Sequence, residues 1–501
     1  MLNRTKIFLV ISFSWLLLAT TGCKKGTFDI NSPNPNTPST VPPKFALSGA
    51  LAATANLAFS GNQAFINRMM GYWAFSGDYG GYGSEAAYNL TTGFNTPNWD
   101  VAYSTCLVNY RFIESASTAP NSANYLGIAK IMECYHFHKL VDIYNNIPYT
   151  SALNGGLQNY PKYDDAKSVY LNLVKQLDSA VLIIKNAPSI ADNPGNYDIL
   201  FGGKMANWIK FANTIRLRIL LNLTQTSDGP ALITSELNGL GAGDFLGAGV
   251  DAAVNPGYSN GSQANQNPLW QYVGFTTGGS NYGNRDFNRA NSYAVNFYLN
   301  TNDTRGGQLY DVNSAGVIRG RAYGSTDGSE HNTLISATGH GVLQSASAPA
   351  AILPAFESLF MQAEAAQRGY ISGDPKIYYQ TAIEESYRIL FNGGAGYLAA
   401  ADAYFAQTDT RVNWNSATNK INLILLQEWA ALNTYDPFQA WNNWRRLGIP
   451  SDLPVSVYPG ASAPHIPIRL LYPTSEYSTN TANVNAQGTI DPINSKIFWM
   501  P

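Results

Sequence analysis

Several residues of this chain have the type and spacing to do chemistry. Glu357 and Glu364 lie seven apart, on one face if the segment is helical, where a pair of catalytic carboxylates could sit. Arginines are the more natural partners for acids inside a helical stack. Gly257-Tyr258-Ser259-Asn260-Gly261 fits the GxSxG pattern of a nucleophile elbow. Such an elbow needs a strand before it and a helix after it. Asn255-Pro256 on one side and Ser262 to Asn265 on the other predict neither. His136 and His138, two apart in a helical stretch, point to different faces and make poor co-ligands for a metal. Cys106 and Cys134 belong to no CxxC pair, so no zinc or redox motif is present. They could pair in an oxidising compartment or stay as buried thiols. No catalytic residue, metal or cofactor is expected from these groups.

Two aromatic-rich stretches fit ligand binding better. One holds Asp78, Tyr79, Tyr82 and Tyr88; the other holds Trp270, Tyr272, Asn281, Tyr282 and Arg285. Sugars present C–H faces that stack on Tyr and Trp rings, and hydroxyls that pair with amides, carboxylates and guanidinium groups. The expected surface is a shallow aromatic platform. Composition agrees. Charged residues make up 13% of the 501, about half the usual share, and aromatics equal them at 13%. The 31 basic and 33 acidic side chains leave no basic excess for binding nucleic acid. At 45% hydrophobic the chain is not of disordered composition.

The elements that must position these residues are helices. Amphipathic or apolar periodicity predicts helices over 44–60, 62–75, 99–116, 123–144, 163–186, 204–224, 354–368, 375–391, 398–406, 417–433 and 437–446. Between 239 and 347 the periodicity fails, apart from a short helical piece near Tyr293 to Leu299. That stretch reads as loops, short helices and short strands packed on the helical body. The fold class is therefore mainly α. Tetratricopeptide-like hairpins are geometrically possible, although helix starts keep no fixed period of 34.

The first residues are of another kind. Arg4 and Lys6 precede an apolar run from Ile7 to Ala19, too short for the roughly 20 residues of a membrane span, which ends at Thr20-Thr21-Gly22-Cys23. This order resembles a bacterial lipobox, with Thr20 where Leu is usual. Residues 1–22 are expected to be a lipoprotein signal peptide, Cys23 the lipidated residue, 23–43 a Pro/Asn-rich tether, and 44–501 one domain.

Further segments, in order, resemble the SusD/RagB family of outer-membrane nutrient-binding lipoproteins of Bacteroidetes. They include Phe28-Asp29-Ile30-Asn31 after the Cys, and Asp142-Ile143-Tyr144-Asn145-Asn146-Ile147-Pro148-Tyr149-Thr150-Ser151-Ala152, with Asn145 where Gly is common. Trp208-Lys210-Phe211-Ala212-Asn213 with Arg216-Leu217-Arg218 continues the series, then Asp303-Thr304-Arg305 and Glu357-Phe360-Ala363-Glu364-Ala365 with Arg368-Gly369. Ile466-Pro467-Arg469-Leu471-Tyr472-Pro473-Glu476 closes it. The resemblance implies a SusD-like helical body with tetratricopeptide-like hairpins and a loop-rich ligand face. It implies glycan capture rather than catalysis, a lipid-anchored outer-membrane location facing the exterior, and a SusC-like TonB-dependent transporter as partner. Capture of peptides by the same architecture, a helical glycoside hydrolase and a protein-binding scaffold are the alternatives. No family binding residue transfers by motif, so the two aromatic stretches rest on their own chemistry.

Overall fold

Apolar periodicity becomes helix nearly everywhere it is present. The computed structural model describes residues 42–155 and 159–501. Cys23, the expected signal peptide and nearly all of the expected tether lie outside the described residues. The principal helices are α1 (Pro43–Ala58), α2 (Val108–Ala116), α3 (Ala123–Tyr144), α4 (Ala166–Lys185), α5 (Met205–Asn222), α6 (Ala355–Gln367), α7 (Pro375–Leu390), α8 (Tyr397–Ala406), α9 (Lys420–Leu432) and α10 (Pro437–Leu447). α2 continues a helix that starts at Pro97 and passes through a π-helical segment, Ala102–Leu107. Short polar side chains start several of these helices by accepting a bond from an otherwise unpaired main-chain N–H. Asp165 does so for α4, Asp374 for α7, Asn419 for α9 and Asp436 for α10.

α3 is buried around most of its circumference, as a central helix must be. α4 covers it with a stripe that includes Val169, Leu173, Leu177 and Ile184. The two approach closely because Gly127 faces Ile184; a Cβ there would lie 2.5 Å from that side chain. α5 packs on α4, α6 on α5, and α7 and α9 on α6. Ion pairs join these layers: Arg218 to Glu357, and Arg446 to Glu364 at 2.6 Å, all four residues almost fully buried. Buried charges are costly to desolvate. Here each carboxylate faces a guanidinium, the structural role expected for Glu357 and Glu364. The C-terminal segment is fastened to the end of α3. The Leu470 N–H donates to the Ile143 carbonyl at 3.1 Å, the Tyr472 hydroxyl to the Asn146 carbonyl at 2.7 Å, and Trp499 Nε1 to Asp142 Oδ1 at 3.1 Å.

Three two-stranded antiparallel ladders interrupt the helices: β1 (Trp73–Phe75) with β5 (Asn288–Ala290), β2 (Ile147–Pro148) with β3 (Tyr163–Asp164), and β4 (Ala252–Val254) with β6 (Ala350–Leu353). These correct the sequence reading. The helix expected over 62–75 ends at Met69, because Gly71 takes φ +75° and the chain then enters β1. Tyr163 lies in a strand rather than at the start of α4. Gly229–Glu236 is a helix that periodicity did not predict. The 239–347 stretch does hold short elements, among them Pro268–Val273, Gly283–Phe287 and Ser292–Asn300. No described helix is long and apolar enough to cross a membrane.

Candidate ligand-binding surface

The β1–β5 ladder sets the start of the first aromatic stretch beside the end of the second. Its register pairs Trp73 with Ala290, Ala74 with Arg289 and Phe75 with Asn288. The Ser76 N–H extends it to the Phe287 carbonyl at 2.8 Å. In an antiparallel pair, the residues leaving one strand lie beside those entering the other. The loop after Phe75 therefore meets the loop before Asn288. A third segment joins through Asp78, whose Oδ1 pairs with His331 Nδ1 at 2.5 Å and whose Oδ2 accepts the Asn332 N–H at 2.7 Å. The Asn332 side chain then accepts from Ser76 Oγ at 2.6 Å and Arg289 Nε at 2.7 Å, and donates to the Asp286 carbonyl at 3.0 Å. The Asn332 N–H, and then His331, hold the Asp78 carboxyl below the usual carboxylate range.

Within this frame the sequence candidates differ in what they offer. Tyr79 is exposed, with its ring edge-on to Phe287 at 6.0 Å. Asn281 is exposed and donates to Asp286 Oδ1 at 2.9 Å. Tyr82 is half-buried, stacked on Phe75 at 4.3 Å and 11°, with its hydroxyl donating to the Ser325 carbonyl at 3.1 Å. Tyr88 is buried, and its hydroxyl accepts the Ser456 N–H at 2.8 Å. Burial pushes that phenol up to about 12.

In the second stretch Tyr282 donates its hydroxyl to Gln266 Oε1 at 2.8 Å. Tyr272 packs so closely on Gly61 that a Cβ there would lie 2.5 Å from its ring. Trp270 is half-buried, bonded through Nε1 to the Phe275 carbonyl at 2.9 Å, and lines a cleft. Arg285 is buried. It donates to the carbonyls of Val273 and Thr338 and to Asp311 Oδ2 at 2.7 Å, with its guanidinium 4.6 Å from the centre of the Phe275 ring. It is a clamp between loops, and its donors face protein rather than solvent. His331, whose side chain is 61% exposed, was not singled out by sequence. Its neighbours form no motif; only the pairing of Asp78 across 253 residues marks it.

The groups that could have done catalysis are engaged elsewhere. Glu364 takes two bonds from Arg446 and one from Arg368 at 2.8 Å. Burial pushes Glu357 up to about 7 although Arg218 faces it. A strand, β4, does precede the GxSxG segment, contrary to expectation, but Asn255-Pro256 intervene and only a 3-10 turn, Gln263–Asn265, follows. His136 pairs with Thr54 Oγ1 at 2.9 Å, and His138 Nδ1 with the Cys134 carbonyl at 3.1 Å. Cys106 and Cys134 are buried free thiols. Among the described residues no cluster of three His, Cys, Asp or Glu is arranged to hold a metal ion.

The helical body thus carries aromatic rings and hydrogen-bonding groups on loops that meet at the β1–β5 ladder. The sequence profile of the SusD-like family, described as starch-binding and associating with the outer membrane, matches residues 35–473, and the chain belongs to that family. Solved structures share its fold. A SusD homolog from Bacteroides uniformis superposes with TM-score 0.74 at 21% identity, over 91% of this chain and 99% of its own. A chitin-binding SusD homolog from Flavobacterium johnsoniae gives 0.75 at 20% identity, over 90% and 98%. A SusD/RagB family protein from Bacteroides thetaiotaomicron gives 0.70 at 18%, over 92% and 99%. Among curated proteins none matches.

Proposed function

We propose that this protein is a nutrient-binding lipoprotein of the outer membrane that captures a neutral glycan and passes it to a SusC-like TonB-dependent transporter. The observation that carries the reading is the match over residues 35–473 to a family described as starch-binding and associating with the outer membrane. Tyr79, Asn281 and His331, grouped on loops at one end of the β1–β5 ladder, supply ring and hydrogen-bonding chemistry suited to sugars. Cys23 is the anchor in this reading. Binding without hydrolysis is supported by the engagement of Glu357 and Glu364 with arginines. The test is calorimetric titration of the purified protein with malto-oligosaccharides, chito-oligosaccharides and short peptides. Saturable heat with a glycan, and no new reducing ends after prolonged incubation, is expected. Heat with peptides alone would replace the glycan reading with peptide capture.

A further inference from the structure

Trp270 faces a cleft of about 290 Å³ whose other walls come from parts of the chain that the aromatic motifs did not mark. Phe59, Val342 and Leu343 give it apolar surface, and its polar side is formed by Asp251, Arg388, Gln344 and Tyr435. The Tyr435 ring is buried in the wall of the cleft, and its hydroxyl makes no hydrogen bond to the described residues. The hydroxyl opens on the cleft rather than being sealed in the core, so it is available to an occupant. Arg388 donates Nε to Glu385 Oε2 at 2.8 Å and Nη2 to Asp251 Oδ2 at 2.6 Å, which leaves Nη1 unpartnered. Gln344 donates Nε2 to the carbonyls of Gly341 and Ile389 at 3.1 and 2.6 Å, which leaves Oε1 free to accept.

The cleft thus offers a hydroxyl that both donates and accepts, a guanidinium donor, an amide acceptor and an indole wall. One guanidinium between two carboxylates leaves local negative charge in excess, so an anion is disfavoured. The volume is at the low end for ligand pockets, which run from roughly 300 to 1,000 Å³, and admits a ring rather than a chain. We propose that this cleft holds a single uncharged sugar ring of the captured glycan. The proposal rests on the glycan-binding reading and gives it a subsite.

Two variants test it. Tyr435→Phe removes only the unpaired hydroxyl. Ser345→Trp places a large side chain at an exposed position of the cleft lining. Calorimetry with malto- and chito-oligosaccharides is expected to show a loss of about three- to tenfold for Tyr435→Phe, the value of one neutral hydrogen bond. Ser345→Trp should lose about tenfold or more by occlusion, on the same scale. Melting temperatures should be unchanged. Glucose or N-acetylglucosamine should compete with the oligosaccharide, and glucuronic acid should not. If both variants bind the oligosaccharide as the unaltered protein does, the cleft is not a subsite while the glycan reading stands. If the unaltered protein binds no glycan, both fall together.

Discussion

Tyr79 and Tyr82 are three residues apart in one loop, and their circumstances are opposite. The Tyr79 ring stands 43% exposed, whereas Tyr82 lies flat on Phe75 and is tied to Ser325. The motif that drew attention to both reflects composition, and composition does not distinguish a ring that binds from one that packs. Tyr79→Ala should leave the melting temperature unchanged and weaken glycan binding. Tyr82→Ala should cost about 2 kcal/mol of stability, because it removes an aromatic pair and buried ring surface. Chemical denaturation and titration of the two proteins separate these effects; equal stability would contradict the packing role of Tyr82. Arg285 teaches the same lesson. Its charge among aromatic residues suggested a sugar donor, but a buried guanidinium must have its hydrogen bonds satisfied, and two carbonyls and Asp311 do so.

At the scale of elements, the seam between α2 and α3 carries a titrating group. Glu133 on α3 pairs with Arg111 on α2 at 2.9 Å, with Glu114 and Lys130 close by. Burial, reinforced by the Glu114 charge, outweighs Arg111 and pushes Glu133 up to about 8. A carboxyl whose folded value lies above its unfolded value, near 4.3, favours the folded state while protonated. That stabilisation is complete below the unfolded value and is lost as pH rises through about 8. Melting temperatures measured from pH 5 to 9 should fall less steeply for Glu133→Gln than for the unaltered protein; equal slopes would refute the assignment. α3 and its neighbour α4 were legible in the sequence because both repeat apolar residues at helical spacing over 20 residues or more. β1 was not legible. Its three residues, Trp73 to Phe75, continue an apolar run, and only their partner on β5 makes them a strand. The placing of the start of the first aromatic stretch beside the end of the second depends on that pairing, so the candidates were visible singly but their arrangement was not. The Tyr435 cleft, assembled from segments as far apart as Phe59 and Tyr435, left no local signature.

For the whole molecule, attachment is a separate matter from folding. In the proposed reading, residence at the outer membrane depends on Cys23. Multiple acyl chains anchor stably where one is marginal. Cys23→Ala should yield a folded protein with unaltered glycan affinity that appears in the soluble fraction; persistence with the outer membrane would place the anchor elsewhere. The ladder that assembles the candidate surface has a consequence in time as well as in space. Asn291 reaches the Trp73 carbonyl across 218 residues, while the contacts within each helix span only a few. Closing a long loop costs entropy before its contacts form, and distant pairings are slow for that reason. A chain newly released from its ribosome can therefore be largely helical while its candidate surface is still unassembled, because that surface is complete only when residues from its first, third and fourth hundreds have met.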